Sequence, residues 1–248
     1  MSKCRFLSGN MLKIIAAVSM LTDHFGLMFF PFDVEYRIIG RLAFPIFAFM
    51  IAEGAKYTKN RIRYFFSIFL LGVICQSVYN SFDYGAIYNN ILLTFSVSIL
   101  LIYLLDLFKG AMLSRNPEPK RTALFGVLFI LAVVAVYLLN NLPVKMRFDY
   151  GFAGCMIPVM ISAFDFHGLS APDILLKLDC LPVRLIMLAL GLLMFIPDSP
   201  SYQWYALLAL IPLALYSGKR GKYNMKYFFY IFYPTHLVLL EGLYILLK

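Results

Sequence analysis

The chain has 248 residues, of which 62% are hydrophobic and only 14% are charged. A soluble domain carries about 25% charged residues, so this composition excludes a water-soluble globular protein. The net charge of +9 does not indicate nucleic-acid binding, because the basic residues form short clusters between long apolar runs. The sequence therefore predicts an integral membrane protein.

Nine apolar runs, separated by turn and charge signals, predict an all-α, polytopic bundle of transmembrane helices, with eight to ten spans possible. The predicted spans cover residues 11–31, 38–55, 64–80, 88–108, 122–140, 150–165, 182–197, 202–217 and 228–247. The sixth and seventh are shorter than the roughly 20 residues that cross a bilayer. The polar stretch between them leaves room for an interfacial helix. Because the spans use nearly the whole chain, we expect one transmembrane domain, residues 1–248.

Lys and Arg residues predict the orientation, because short basic loops favour the cytoplasmic side of a membrane. With nine spans, four basic clusters fall on one side: Lys3 with Arg5, residues 56–63, residues 109–121 and residues 219–226. The loops at residues 82–88 and 197–201 carry no Lys or Arg, whereas Lys145 and Arg147 are an exception on that other face. We therefore expect a cytoplasmic N-terminus and an outer C-terminus.

Asp23 and His24 lie deep in the first predicted span, where a charge near the bilayer centre costs about 2.5 to 3.5 kcal/mol. At 1.5 Å per residue they are about 18 to 20 Å from the cytoplasmic end of the span. Because imidazole ordinarily titrates near neutrality, His24 could take a proton from an attacking amine or hydroxyl. Neighbouring helical positions point about 100° apart, so Asp23 is not expected to orient the His24 ring. A histidine that only hydrogen-bonds between helices is the alternative.

The second predicted span opens with Arg37 and Arg41, which are four residues apart and therefore share one helical face. Two neighbouring guanidiniums predict a site for an anion. The alternative is that Arg37 caps the interface and that Arg41 snorkels outward. Glu53 lies near the cytoplasmic end of the same span, where it could instead pair with Lys56 or Lys59.

Further polar residues lie in other predicted spans and turns. His236 lies about 12 Å from the cytoplasmic end of the last span, and it would face His24 in one cavity if the first and last helices are neighbours. Asn90 lies in the turn before the fourth span, and Asp149 and Tyr150 lie at the start of the sixth. An Asn-rich turn is more often a structural turn than a binding site.

The motifs together resemble the TraX family, along essentially the full chain. They are LTDHFG at residues 21–26, RIIGRLAFPIFAFMIAEGAKYTKNR at 37–61, NNILLTFS at 89–96, FDYGFAG at 148–154 and FYPTHL at 232–237. The family is named for a conjugation protein that acetylates the N-terminal amine of pilin, and it is similar to a compact branch of the transmembrane acyltransferase superfamily. The resemblance implies a multi-pass protein of the bacterial inner membrane, surrounded by its lipids.

Carried over by position, the resemblance implies that Asp23 and His24 form the acid–base pair. It assigns the pocket for donor or acceptor to Arg37, Arg41, Glu53, Asn90, Asp149, Tyr150 and His236. It implies acetyl-CoA or another acyl-CoA as the donor, and an amine or hydroxyl of a small molecule, lipid or peptide as the acceptor. Because CoA is anionic and cytoplasmic, basic residues such as Lys56 and Lys59 are expected to hold its phosphates.

In this hypothesis His24 deprotonates the acceptor as it attacks the thioester, and Arg41 or His236 stabilises the oxyanion. No covalent intermediate is required. No metal is expected, because the sequence has neither an HExxH motif nor a metal-binding Cys/His spacing.

Two other functional classes fit part of the pattern. A proton-coupled transporter or lipid flippase also places Arg, Asp, Glu and His within its spans. The odd span count and the lack of an internal repeat do not fit two equal halves, so we favour the acyltransferase. A non-catalytic scaffold would use His24 for folding alone.

Overall fold

The computed structural model describes residues 5–81, 88–141 and 147–247. Within these ranges the regular secondary structure is helical apart from one pair of two-residue strands and one isolated bridge between Leu7 and Tyr216, which confirms the all-α prediction. The α-helices are α1 (Gly9–Phe29), α2 (Val34–Gly40), α3 (Ala43–Tyr57), α4 (Arg61–Ser81), α5 (Ile91–Met112), α6 (Pro119–Asn141), α7 (Gly151–Ile161), α8 (Asp173–Leu176), α9 (Leu181–Phe195), α10 (Leu210–Ala214) and α11 (Lys226–Leu247). Two 3₁₀ helices cover Ile196–Asp198 and Ser201–Ala209. Strands β1 (Tyr88–Asn89) and β2 (Arg147–Phe148) pair in parallel.

Within the described ranges, six helical segments are long and apolar enough to cross a membrane: α1, the α2–α3 segment, α4, α5, α6 and α11. Each coincides with a predicted span. The other three predicted spans correspond to α7, to α9, and to the 3₁₀ helix Ser201–Ala209 followed by α10. The chain is therefore a multi-pass membrane protein, whereas the count of nine spans and the side of the N-terminus stay predictions. Lys3, Lys145 and most of the predicted loop at residues 82–88 lie outside the described residues.

The second predicted span begins earlier than expected, at Val34, and is interrupted after Gly40. Glycine is a poor helix former. Pro45 has no backbone N–H to donate to the carbonyl of Arg41, four residues before it. The backbone N–H of Leu42 instead donates to the carbonyl of Ile39 over 3.3 Å, a three-residue spacing. The two arginines of this segment therefore lie beside a break in the helix.

The helices group into two compact units. The first draws on Met1–Met50, Ser77–Tyr84 and Leu192–Lys248, and the second on Ile51–Gln76 and Gly85–Gly191. The prediction of one domain stays a prediction.

In the first unit, α1 packs against α2 and α11, and α2 packs against the 3₁₀ helix Ser201–Ala209. Two glycines allow the close approach of α1 and α2. A Cβ added to Gly26 would overlap the ring of Tyr36, and a Cβ added to Gly40 would overlap the carboxylate of Asp23. Tyr36 and Asp23 therefore each pack against a glycine of the facing helix, and a larger residue in place of either glycine would push the two helices apart.

In the second unit, α5 packs against α6 and α7. The parallel β1–β2 pair joins the residues that precede α5 to those that precede α7. At the other end of α5, the Lys109 Nζ donates to the carbonyl oxygens of Ser162 and Asp165, over 3.0 and 2.7 Å. Residues 149–165 thus run alongside α5 for nearly its whole length, and the crossing of the membrane by this short segment stays a prediction.

We expect the Gly40→Ala substitution to destabilise the protein, because its new Cβ would displace the Asp23 side chain. Overpacking of this kind costs about 1 to 3 kcal/mol. The midpoint of thermal unfolding in detergent should therefore fall. Gly242→Ala is the matched control, because a Cβ at this exposed helical position meets no atom within 4 Å. An equal fall in both variants would contradict the close α1–α2 contact.

Candidate active site

A carboxylate held between two arginines lies at the contact of α1 and α2. Asp23 accepts a hydrogen bond from Arg37 Nη1 over 2.8 Å and another from Arg41 Nη2 over 2.7 Å. The spacing of the two arginines does bring their guanidiniums together, but the anion between them is Asp23. Arg41 is only 7% exposed, so it does not snorkel outward.

The 3₁₀ helix Ser201–Ala209 supplies the third side of this cluster. Arg41 Nη1 donates to Gln203 Oε1 over 3.0 Å, and both guanidinium carbons lie within 5.8 Å of the centre of the Tyr202 ring. We call Asp23, Arg37, Arg41, Tyr202 and Gln203 the Asp23 cluster. Two arginines against one carboxylate leave it a net charge of +1. The amide nitrogen of Gln203 is buried and has no hydrogen-bond partner within the described ranges.

Tyr202 and Gln203 were not predicted from the sequence. A glutamine near the start of an apolar span was the signal that could have drawn attention to them. Its partner Arg41 is 162 positions away in the chain, which no local pattern reveals.

The rings of His24 and His236 form a hydrogen-bonded pair where α1 and α11 meet. His24 Nδ1 is 2.9 Å from His236 Nε2. The ring planes are within 10° of parallel and their centroids are 5.1 Å apart, which fits an N–H···N bond close to the plane of the rings. His236 is 3% exposed. The first and last helices are thus neighbours, which is the condition under which the sequence predicted that the two histidines face each other.

The surrounding hydrogen bonds decide which ring nitrogen carries each proton. His236 Nδ1 lies 3.0 Å from the carbonyl oxygen of Phe232, and a carbonyl can only accept, so Nδ1 carries hydrogen. Nε2 of neutral His236 is then an acceptor, and His24 must donate to it from Nδ1. Neutral His24 therefore keeps a lone pair on Nε2, a nitrogen with no hydrogen bond to any described residue.

Asp23 does not take part in this chain of hydrogen bonds. Each of its carboxylate oxygens accepts from one arginine, and neither contacts the His24 ring. The expectation that Asp23 does not orient its neighbour on the helix agrees with this geometry. The side chain that orients His24 comes from α11.

Glu53, Lys56 and Lys59 belong to the second unit, at the end of α3 and in the loop that follows. Glu53 forms an ion pair with Arg184 of α9, a partner that the sequence did not predict. Lys56 binds two carboxylates, Asp179 over 2.5 Å and Asp165 over 3.1 Å. Its charge is therefore already compensated, whereas the Lys59 side chain is exposed.

Asn90, Asp149 and Tyr150 also belong to the second unit, at the opposite end of α5 from Lys109. Asn90 is the N-cap of α5: its side-chain oxygen accepts from the first turn, and its side-chain nitrogen donates to Gly72 and Gln76. These contacts explain Asn90 as a structural residue of the turn. Tyr150 has a φ of 58°, an uncommon backbone conformation for a residue with a side chain.

The described part of the chain holds no group of three or more His, Cys, Asp or Glu side chains that could bind a metal ion. The first unit combines a neutral imidazole, whose Nε2 has no hydrogen bond to any described residue, with a cluster of net positive charge. Such a pair suits general-base chemistry on a substrate that develops negative charge.

Comparison with known proteins gives a family match over most of the chain. The model of the family described as TraX protein matches residues 8–244. The probable fimbrial assembly protein FimC, serogroup H1, of Dichelobacter nodosus is 26% identical over 260 residues, which cover 94% of each chain. An uncharacterized protein of Rickettsia prowazekii (strain Madrid E), RP591, is 39% identical over 67 residues, 27% of this chain and 25% of its own. No solved structure gives a significant match.

The family match covers the segments on which the resemblance was based, including both histidines of the pair. It confirms that resemblance, and the chain belongs to the TraX family.

Proposed function

We propose that the chain is a membrane-embedded acyltransferase, which moves an acetyl or other acyl group from cytoplasmic acyl-CoA to an amine or hydroxyl acceptor. The observation that carries this proposal is the hydrogen-bonded chain from the Phe232 carbonyl through His236 to His24. It leaves a basic nitrogen about 22 Å along α1 from the start of the helix at Gly9. An ionisable residue inside a membrane span is a functional candidate by default.

The family supports the same chemistry. Membership of the TraX family implies acetylation of an amine. The relative from Dichelobacter nodosus is named a probable fimbrial assembly protein. A pilin or another surface protein is accordingly one acceptor to test. A lipid or a small amine fits the same base equally well, so the acceptor class is an amine or a hydroxyl.

In the proposed reaction, Nε2 of His24 accepts a proton from the acceptor as its nitrogen or oxygen attacks the thioester carbonyl. A bond forms between the acceptor and the carbonyl carbon, and the carbonyl oxygen becomes negatively charged. When that intermediate collapses, the carbon–sulfur bond breaks. The proton held by His24 then passes to the departing thiolate, which leaves as CoA with a free thiol.

His236 acts in this proposal as a positioning residue. Both of its ring nitrogens are engaged, one with Phe232 and one with His24, so we assign it to orienting the base and not to the oxyanion. Its acceptor nitrogen also receives the Nδ1–H of His24, whose hydrogen bond strengthens when His24 becomes an imidazolium. The role parallels that of the carboxylate in a Ser-His-Asp triad.

The Asp23 cluster supplies the electrostatic part of the proposal. Its net charge of +1 favours a negative charge that develops nearby, and a fixed cluster does not need to reorganise during the reaction. Asp23 holds the two guanidiniums in place and lowers the cost of burying them. The two residues of the acid–base pair implied by the resemblance therefore have different roles in this proposal: His24 is the base, and Asp23 holds the two arginines.

We expect His24→Ala to abolish thioester turnover, because no other group in the proposal accepts the proton. General-base catalysis contributes about 10² to 10⁴ in rate. The measurement is CoA release from acetyl-CoA by purified protein in detergent, with mixed amine, peptide and lipid acceptors. Thr22→Ala is the matched control on the same helix, because the Thr22 hydroxyl only donates to the carbonyl of Val18.

Both variants should remain monodisperse in size-exclusion chromatography. Equal turnover in the His24→Ala variant and the wild type would contradict the role of His24. If the wild type releases no CoA with any acceptor class, the acyltransferase proposal fails, and substrate uptake into vesicles becomes the test of the transporter alternative.

We expect substitutions at His236 to lower kcat and to leave KM nearly unchanged, because the residue orients the base without touching the substrate. His236→Phe removes the acceptor for His24 and should reduce kcat by about 10²-fold. His236→Gln retains an acceptor oxygen and a donor nitrogen, so it should keep more activity than His236→Phe. If His236 only packed against Phe232 and Tyr233, the aromatic replacement would be the milder of the two, and that order would refute the positioning role.

A further inference from the structure

A cavity of about 330 Å³ lies in the second unit, among the end of α3, the start of α4, the end of α5 and the start of α6. These helix ends carry the basic loops that the sequence places on the cytoplasmic side. The ionisable side chains around the cavity are Lys56, Arg61, Arg121, His167, Asp106 and Asp165. Nothing in the proposed chemistry uses this cavity.

The charges around the cavity are not balanced. Lys56 is paired with Asp165, and Arg61 is paired with Asp106 over 2.8 Å. Arg121 also lines the cavity, but it has no carboxylate partner within the described ranges; its guanidinium lies over the ring of Phe125 instead. Among the described residues, the cavity lining therefore carries one uncompensated cation, beside the ring of His167.

Two helix N-termini add to this positive potential. Helix α4 begins at Arg61, and helix α6 begins with Arg121 in its first turn. Neither first turn contains an acidic residue. A helix N-terminus favours negative charge, so a basic side chain in the first turn is unfavourable unless an anion lies nearby. Membrane orientation explains basic loops on one side, but it does not require that two arginines from different helices line the same cavity.

We propose that this cavity binds the phosphate group of a phosphate ester, with Arg121 as its main ligand. Arginine donates to phosphate through two parallel N–H groups. The exposed Arg121 guanidinium can do this without breaking an ion pair to any described carboxylate. The cavity volume is at the low end for a ligand pocket, so it holds the phosphate-bearing end of a ligand and not a whole cofactor-sized molecule.

Two sources supply this chemistry at a cytoplasmic membrane surface. One is the nucleotide end of CoA, and assigning the cavity to it rests on the proposed acyltransferase function. The other is the head group of an anionic phospholipid. The phosphate site itself does not depend on the proposed function, because binding can be measured without turnover.

The test compares binding of CoA and of phosphatidylglycerol to the wild type and to the Arg121→Gln variant. CoA binding is measured by equilibrium dialysis on purified protein in detergent, and retained phosphatidylglycerol by native mass spectrometry. Arg115→Gln is the matched control, because Arg115 is exposed in the loop that precedes α6 but does not line the cavity. We expect Arg121→Gln to weaken binding about tenfold, the loss of one charge-assisted contact, and Arg115→Gln to leave it unchanged.

A loss confined to CoA assigns the cavity to the donor, and a loss confined to phosphatidylglycerol assigns it to lipid. The proposal is overturned if Arg121→Gln changes the binding of neither, or if Arg115→Gln weakens binding equally. A second variant, Gly110→Leu, tests the cavity itself. A Cβ at Gly110 approaches only Leu169, at 3.6 Å, so the larger side chain has room to fill the cavity and should block the same ligand.

CoA binding should persist in the His24→Ala variant, because His24 belongs to the first unit. The phosphate site and the proposed reaction can therefore fail separately. Normal CoA binding without turnover would count against the chemistry at His24, and turnover that is indifferent to Arg121 would count against the cavity as the donor site.

Discussion

The carboxylate of Asp23, held between two guanidiniums, sets the geometry of the first unit. A lone charge in a bilayer is expensive, and a buried ion pair is tolerated only when its hydrogen bonds are satisfied. Asp23 meets that condition with one arginine on each oxygen. The arrangement requires the side chain of Asp23 to lie directly over Gly40, which fixes α2 against α1. His24 follows Asp23 in the chain, so the same constraint determines where the proposed base lies.

The second unit satisfies the same electrostatic requirement with a larger network. Its ion pairs join Glu53 to Arg184, Lys56 to Asp165 and Asp179, and Asp106 to both Arg61 and Lys109. Four cations and four carboxylates thus compensate one another where α3 and α5 end and α4 and α9 begin. Arg121 lines the cavity of the second unit and lies outside this balanced set. It is consequently the cation of that lining that is most available to a ligand.

The sequence predicted the long helices well, because about 20 apolar residues in a row have few alternatives to a membrane span. It did not predict the interruption after α2, which depends on Pro45. The spacing of Arg37 and Arg41 correctly predicted two convergent guanidiniums. Their partners Asp23 and Gln203 come from other elements, and only the packing of those elements identifies them. The histidine pair was likewise predicted only on the condition that α1 and α11 are neighbours.

The state of the His24 ring tests the central claim most directly, since the proposed base requires hydrogen on Nδ1 and a bare Nε2. ¹⁵N NMR of protein labelled at its three histidines and held in lipid nanodiscs reports the protonation of each ring nitrogen. The His24→Ala and His167→Ala variants assign the signals. We predict that near neutral pH His24 carries hydrogen on Nδ1 alone. A His24 ring protonated on Nε2, or on both nitrogens, would contradict the account.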